Sequence, residues 1–473
     1  MSMVRYVSFV LLLLAGCSVP KDAGFPDVAR ATLARTGQTI RWNQGGEADA
    51  EIKRTVQALL SHPLRPAEAV QVALLENRRL QATYEDLMVA QADLVQAGLL
   101  HNPTLSGSVG VLVSGGVGAP SHALGVEQDF LDLLMIPARR RVASSQFEAT
   151  KLRVGSAVLG LANDVRAAYY VLQGAQQIAK MRRMILDAAQ ASVDMARRQH
   201  DAGNISDLDL GNEEALYEQI RLDLTRSEVD IAVARERLDR LMGLWGADTR
   251  WTITAELPAI PAEEPPLDAL ESLAVNRRLD IASARAGVQA SSDALAAARN
   301  FRWIGAAGVG ASMERDPGGQ TVVGPSASLE LPIFDQRQAE VARREAELRR
   351  SLAQLTALAV DARSEVREAR SRVLAARSIV ERYRTTIIPL RERLVALSQQ
   401  NYDAMLLGVY QLLNAKQAEV NAYREYIEAV RDYWLFRVDL ERATGGRIGE
   451  EPASAPAAPS APPTPMPAHH HMH

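Results

Sequence analysis

The chain has 473 residues, 47% hydrophobic but only 5% aromatic, fewer rings than a compact core of this length usually carries. Its net charge of −4 comes from acids and bases interspersed along the chain, which excludes a nucleic-acid surface built on basic excess. The single cysteine, Cys17, excludes a disulfide within the chain and catalysis by any other thiol.

In chain order, the first feature is a basic start with Arg5, the apolar run VSFVLLLL and then AGC. This run is too short to cross roughly 30 Å of hydrocarbon as a helix and reads as a secretory signal over residues 1–16. Leu14-Ala15-Gly16-Cys17 resembles a bacterial lipobox, which implies cleavage before Cys17 and its acylation. Ser18 after it implies sorting to the outer membrane. Residues 17–62 are expected to be an anchor and linker, and no later apolar run is long enough for a membrane-spanning helix. A bilayer crossing would therefore have to be made of strands.

From residue 63 the sequence describes one order twice: helix, strand pair, long helix, helix. The phrase NRRL marks the doubling, at 77–80 and again 199 residues later at 276–279. The first repeat, 63–245, opens on a helix from Pro66 to about residue 100. A hairpin follows over about 103–131. Leu105, Gly107, Val109, Val111 and Val113 alternate with small polar residues, and Leu124, Val126 and Phe130 oppose Glu127 and Asp129. A long helix is expected over about 137–202 and a second over about 206–243. After a linker at 246–265, the second repeat, 266–445, begins with a helix to about 300. Its hairpin, about 303–333, alternates Trp303, Gly305, Ala307, Val309, Ala311 and Met313, then Val323, Ala327, Leu329, Leu331 and Ile333. The long helix, about 336–406, carries apolar residues from Leu348 to Leu397 at an unbroken 4-3 spacing. That is a coiled-coil seam, rich in alanine, on a rod of roughly 100 Å. Pro389 is expected to kink it. A helix over about 409–444 completes the repeat, and 446–473 is a Pro/Ala-rich tail expected to be disordered.

Each strand runs about ten residues, the length a tilted strand needs to cross a bilayer. Four strands cannot stand alone in lipid, because the edge groups of an open sheet would be unpaired. Three chains would supply twelve strands, enough for a barrel with a lumen. A soluble four-stranded sheet capping a helical bundle is the plainer reading of the same pattern.

The doubled order resembles the TolC-like outer membrane channels of bacterial efflux systems over about residues 63–445. The residues that carry it are NP at 102–103, GNISDL at 203–208, LPIFD at 331–335 and YDAMLLGVYQLLNAKQ at 402–417. The resemblance implies a mostly α fold with a transmembrane β part. Two hairpins per protomer would enter a homotrimeric 12-stranded barrel above a long α-helical coiled-coil tunnel. It also implies a lipid-anchored place in the outer membrane, partners in a periplasmic adaptor and an inner-membrane pump, and passive export with no catalysis or cofactor. No metal-ligand constellation, nucleophile motif or phosphate-cradling loop lies between the signal and the tail.

In such channels the periplasmic end closes where helices turn. The resemblance therefore makes Asp207 and Asp209 in the first turn, and Gln411 and Asn414 in the second, the candidates for a gate. Rings of carboxylates retain cations. Ser206-Asp207-Leu208-Asp209 equally reads as a helix start with a capping box. The tail ends in His469, His470, His471, Met472 and His473, donors that suit copper or another soft metal ion. Met472 interrupts the run, unlike a purification tag. The function expected is thus the outer membrane duct of a tripartite efflux pump, for heavy metals or drugs. The alternative is a periplasmic coiled-coil adaptor or scaffold lipoprotein without a pore. Deleting residues 467–473 should lower metal tolerance of cells without affecting assembly; unchanged tolerance would discard a metal role for the tail.

Overall fold

The computed structural model describes residues 19–110, 120–254, 256–264, 268–303, 305, 307–316 and 318–448. Cys17, the signal, Val111, Val113 and the His/Met tail lie outside them. The fold is mostly helical with one small antiparallel sheet. Repeat 1 comprises α3 (Pro66–Glu76), α4 (Arg78–Ala97), β1 (Thr104–Gly110), β2 (Ser121–Asp129), α5 (Leu131–Asp201) and α6 (Asp207–Met242). Repeat 2 comprises α7 (Leu270–Arg277), α8 (Leu279–Asn300), β3 (Ala307–Arg315), β4 (Thr321–Leu329), α9 (Gln338–Arg382), α10 (Ile388–Asp403) and α11 (Val409–Thr444). Two short helices precede them, α1 (Phe25–Thr36) and α2 (Glu47–Leu60).

Segment 17–62 is therefore more than a linker. Val28, Ile40, Ile52 and Val56 are buried in the main core with Leu74, Leu80, Tyr169 and Leu238. Phe25 meets Tyr84 edge-on at 5.1 Å between ring centroids, and Trp42 Nε1 donates to Glu85 Oε1 at 3.0 Å. Only a few apolar residues per helix do this, at spacings too short to reveal a periodicity. Segment 246–265 is likewise anchored. Leu64 and Ile253 form a parallel bridge, and buried Trp251 donates through Nε1 to Asp239 Oδ1 at 2.6 Å.

The opening helix of each repeat, expected to be continuous, is broken in two. Asn77 (φ −63°, ψ 109°) and Arg278 (φ −64°, ψ 126°) leave the helical region. Asn77 closes the gap itself: its Oδ1 accepts from Leu80 N at 2.9 Å and its Nδ2 donates to Leu241 O at 2.8 Å. The cause of the break is the helix end packed against it. Gly243 (φ +75°) caps α6 where a Cβ would fall 2.8 Å from Glu76 O, and Gly445 (φ +79°) caps α11 where a Cβ would fall 3.0 Å from Arg278 N. Only glycine takes this left-handed conformation with no clash. The geometry also corrects the register of the duplication. Arg278, not Asn276, occupies the place of Asn77, so the twin phrase lies at the equivalent joint but two residues out of step.

α5 is 71 residues, about 105 Å of helix, and starts six residues before Pro137, which it carries inside. The second rod holds a π-helical turn at Tyr383–Ile387, immediately before Pro389. Pro389 offers no N–H to the carbonyl of Thr385, and the wider turn accommodates that loss. Its seam is buried only in the middle, Ala362 to Val380, against α7 and α11. Leu390, Leu394 and Leu397 continue it but are half exposed.

The strands form one sheet in the order β1-β2-β3-β4, so the hairpins of the two repeats join edge to edge. Register places Leu105, Val126, Ala311 and Pro325 in one row and Gly107, Leu124, Met313 and Val323 in the next, on one face. Trp303 and Gly305 precede β3, and Phe130 follows β2 as the cap of α5, so the strands are shorter than the alternation suggested.

The end of the second linker is pinned to repeat 2. Glu264, almost fully buried, accepts hydrogen bonds from Arg437 and Tyr433 and pairs with Arg377 at 3.4 Å. Burial, together with this carboxylate, drives the Tyr433 phenol far above its usual range. Replacing Glu264 by Ala removes the acceptor shared by Arg437 and Tyr433 but leaves Arg377 with Glu381 at 3.1 Å and Arg437 with Glu441 at 3.7 Å, so it should cost about 1.5–3 kcal/mol, read as a lower midpoint in thermal or denaturant unfolding.

Candidate functional site

Two regions of the chain present surface that the chain itself does not use: the tips where the long helices reverse, and the sheet. At the first tip α5 ends in a left-handed Gly203 (φ +75°), with Gly203 N donating to His200 O at 2.8 Å and Asn204 N to Gln199 O at 2.8 Å. The second tip repeats the pattern on different residues: Met405 N donates to Tyr402 O at 2.9 Å and Leu406 N to Asn401 O at 2.8 Å. There the left-handed residue is Met405 (φ +59°), where glycine would be the easier occupant.

The four polar candidates have distinct places. Asp209 belongs to a capping box: its N–H donates to Ser206 Oγ at 3.2 Å, and its Oδ2 accepts from Ser206 Oγ at 2.7 Å and from Ser206 N at 3.3 Å. Asp207 is almost wholly exposed, with its Oδ1 2.6 Å from His200 Nε2. The scatter of histidines along the sequence concealed this pair, because it forms only once the turn brings residues seven apart together. Gln411 stands at the position of Asp209 on α11, its N–H on Gly408 O at 3.2 Å, and Asn414 is exposed one turn on. Each turn holds its own pair of candidates.

Sequence reading passed over the apolar side chains at the tips. Leu208 is 73% exposed, Met405 94% and Leu406 75%, a greasy surface on turns where polar residues are the norm. The signal was present in MLLG, three apolar residues entering a turn. Among the described residues, no cluster of three or more His, Cys, Asp or Glu could hold a metal ion. No described helix is long and apolar enough to cross a membrane.

The sheet is the other unspent surface. Leu105, Val109, Leu124, Val126, Val309, Met313, Val323 and Leu329 are each 42–73% exposed on a single face. β1 and β4 have no partner on their outer edges among the described strands. Residues 69–244, essentially the first repeat, match the family described as outer membrane efflux protein.

The first repeat is thus similar to that family over its whole length.

Solved structures agree in fold over both repeats. A membrane protein from Pseudomonas aeruginosa is 22% identical with a TM-score of 0.68, covering 84% of this chain and 92% of its own. The Campylobacter jejuni CmeC outer membrane channel is 15% identical, with a TM-score of 0.69 over 80% of this chain and 85% of its own. The open state of the Neisseria gonorrhoeae MtrE outer membrane channel is 18% identical, TM-score 0.65, over 81% and 89%. The family is one of efflux channels, not of enzymes. At the first tip, the capping role of Asp209 is separable from any role of Asp207. Asp209→Ala should cost about 1 kcal/mol and loosen the α5–α6 tip, seen as faster amide exchange over residues 203–212, whereas Asp207→Asn should not.

Proposed function

We propose that three copies of this chain form the outer membrane duct of a tripartite efflux pump, anchored by acylated Cys17 and extending through the periplasm as a helical tunnel. The observation that carries this reading is the sheet: four strands, apolar on one face and small and polar on the other, with two open edges. In water such a face would aggregate, and in lipid such edges would cost several kcal/mol for each orphan group. Threefold closure removes both costs, and the half-exposed seam of Leu390, Leu394 and Leu397 supplies matching helical contacts below.

The apolar tips at Leu208, Met405 and Leu406 are where a periplasmic adaptor would dock. Met405 keeps a large side chain at a backbone position suited to glycine, a local cost that a contact with a partner would offset. A pore-free scaffold is disfavoured because each helical hairpin follows its own strand pair and the two pairs merge into one sheet. For cargo, the donors His469 to His473 favour a soft metal ion, captured at the tail and passed to the duct.

The test is direct. Purified protein should run as a heat-resistant trimer in detergent and conduct ions in planar bilayers. A water-soluble monomer with no conductance would refute the duct.

A further inference from the structure

The two faces of the sheet differ in charge as well as in polarity. The apolar face carries His122 and Arg315, paired with each other at the far end of the strands. The opposite face carries Thr104, Ser106, Ser108, Ser326 and Ser328 with glycines, and its only ionisable side chains among the described strands are Glu127, Asp129 and Glu314. Among the described strands that face carries no basic side chain. Asp129 is spent at the head of α5, where its Oδ1 accepts from Leu131 N at 3.0 Å. Glu314 stands at the opposite end of β3, beside the turn.

Glu127 is held differently. Its side chain leaves β2, lies across β3 at Gly308 and reaches β4, where its Oε1 accepts from Ser328 Oγ. A Cβ on residue 308 would fall 1.8 Å from that Oε1 and 2.7 Å from the Glu127 carboxyl carbon, so Gly308 is what lets the carboxylate lie flat on the wall. The carboxylate is thereby fixed in place without projecting across the open space.

We infer that Glu127, fixed over Gly308 by Ser328, is the residue that makes the barrel select cations. This rests on the trimeric duct proposed above. In that assembly the apolar face meets lipid and the small polar face lines the lumen. Three Glu127 carboxylates then form a ring near the junction with the helices. The ring raises the local concentration of cations and lowers that of anions, most strongly where screening is weak. The cargo class it favours is cationic: metal ions or ammonium-bearing organic molecules.

The experiment is the reversal potential of the reconstituted full-length protein under a potassium chloride gradient. The wild type should prefer potassium over chloride. Glu127→Gln should lower the permeability ratio by about threefold at 0.1 M salt, with the difference fading near 1 M. Ser328→Ala, which keeps the charge, should leave the ratio near the wild-type value. Ser328→Lys, which sets an ammonium beside the carboxylate, should lower it even if Glu127→Gln does not assemble. Conducting Glu127→Gln trimers with an unchanged ratio would overturn the assignment while leaving the duct intact. A wild type that never conducts would instead remove the duct, and the assignment with it.

Discussion

Backbone N–H and C=O groups on the outer edges of β1 and β4 have no partner among the described strands, and in hydrocarbon no water can serve them. On the proposed reading this requirement organises the molecule. It explains why the hairpins of two distant repeats are joined through β2 and β3, halving the number of open edges per chain. On the proposed reading it also explains why one chain is insufficient: the remaining edges of one copy pair with those of the next. The single-faced greasiness of the sheet, with Leu124 and Met313 side by side, is the side-chain counterpart of the same demand.

Below the sheet, the problem is to hold two rods of great length in fixed register without a thick globular core. The chain solves it at one level, where α3, α7 and the C-terminal ends of α6 and α11 meet. Gly243 and Gly445 end their helices against the breaks at Asn77 and Arg278, and neither contact has room for a side-chain carbon. Around this level sit the buried aromatic residues Tyr84, Tyr169, Trp251 and Tyr433, and the Glu264 hub. Beyond it, the rods depend on long seams of small residues. The scarcity of aromatics follows, since thin helical walls leave few places to bury a ring.

Much of this was legible in the sequence. Period-two alternation exposed the four strands, and the 4-3 spacing exposed the second rod, because both patterns repeat the same physical demand over many residues. The ends of elements were not legible: Trp303 and Phe130 fit the alternation yet lie outside the strands. Nor were α1 and α2: Phe25 of α1 meets Tyr84, far along the chain, and Val28, Ile52 and Val56 join the same core. At the tips, the capping box on Ser206 and Asp209 could be read locally, whereas the pairing of His200 with Asp207 could not.

The sequence by itself determined the doubled order of elements, the greasy face of each strand and the lengths of the rods, since these follow from local periodicity and side-chain chemistry. Only the tertiary structure decided the register of the duplication, setting Arg278 rather than Asn276 against Asn77. It alone placed Gly308 beneath Glu127. Both are facts about which atoms fit beside which across long separations in the chain, and steric fit of that kind leaves no periodic trace in the letters.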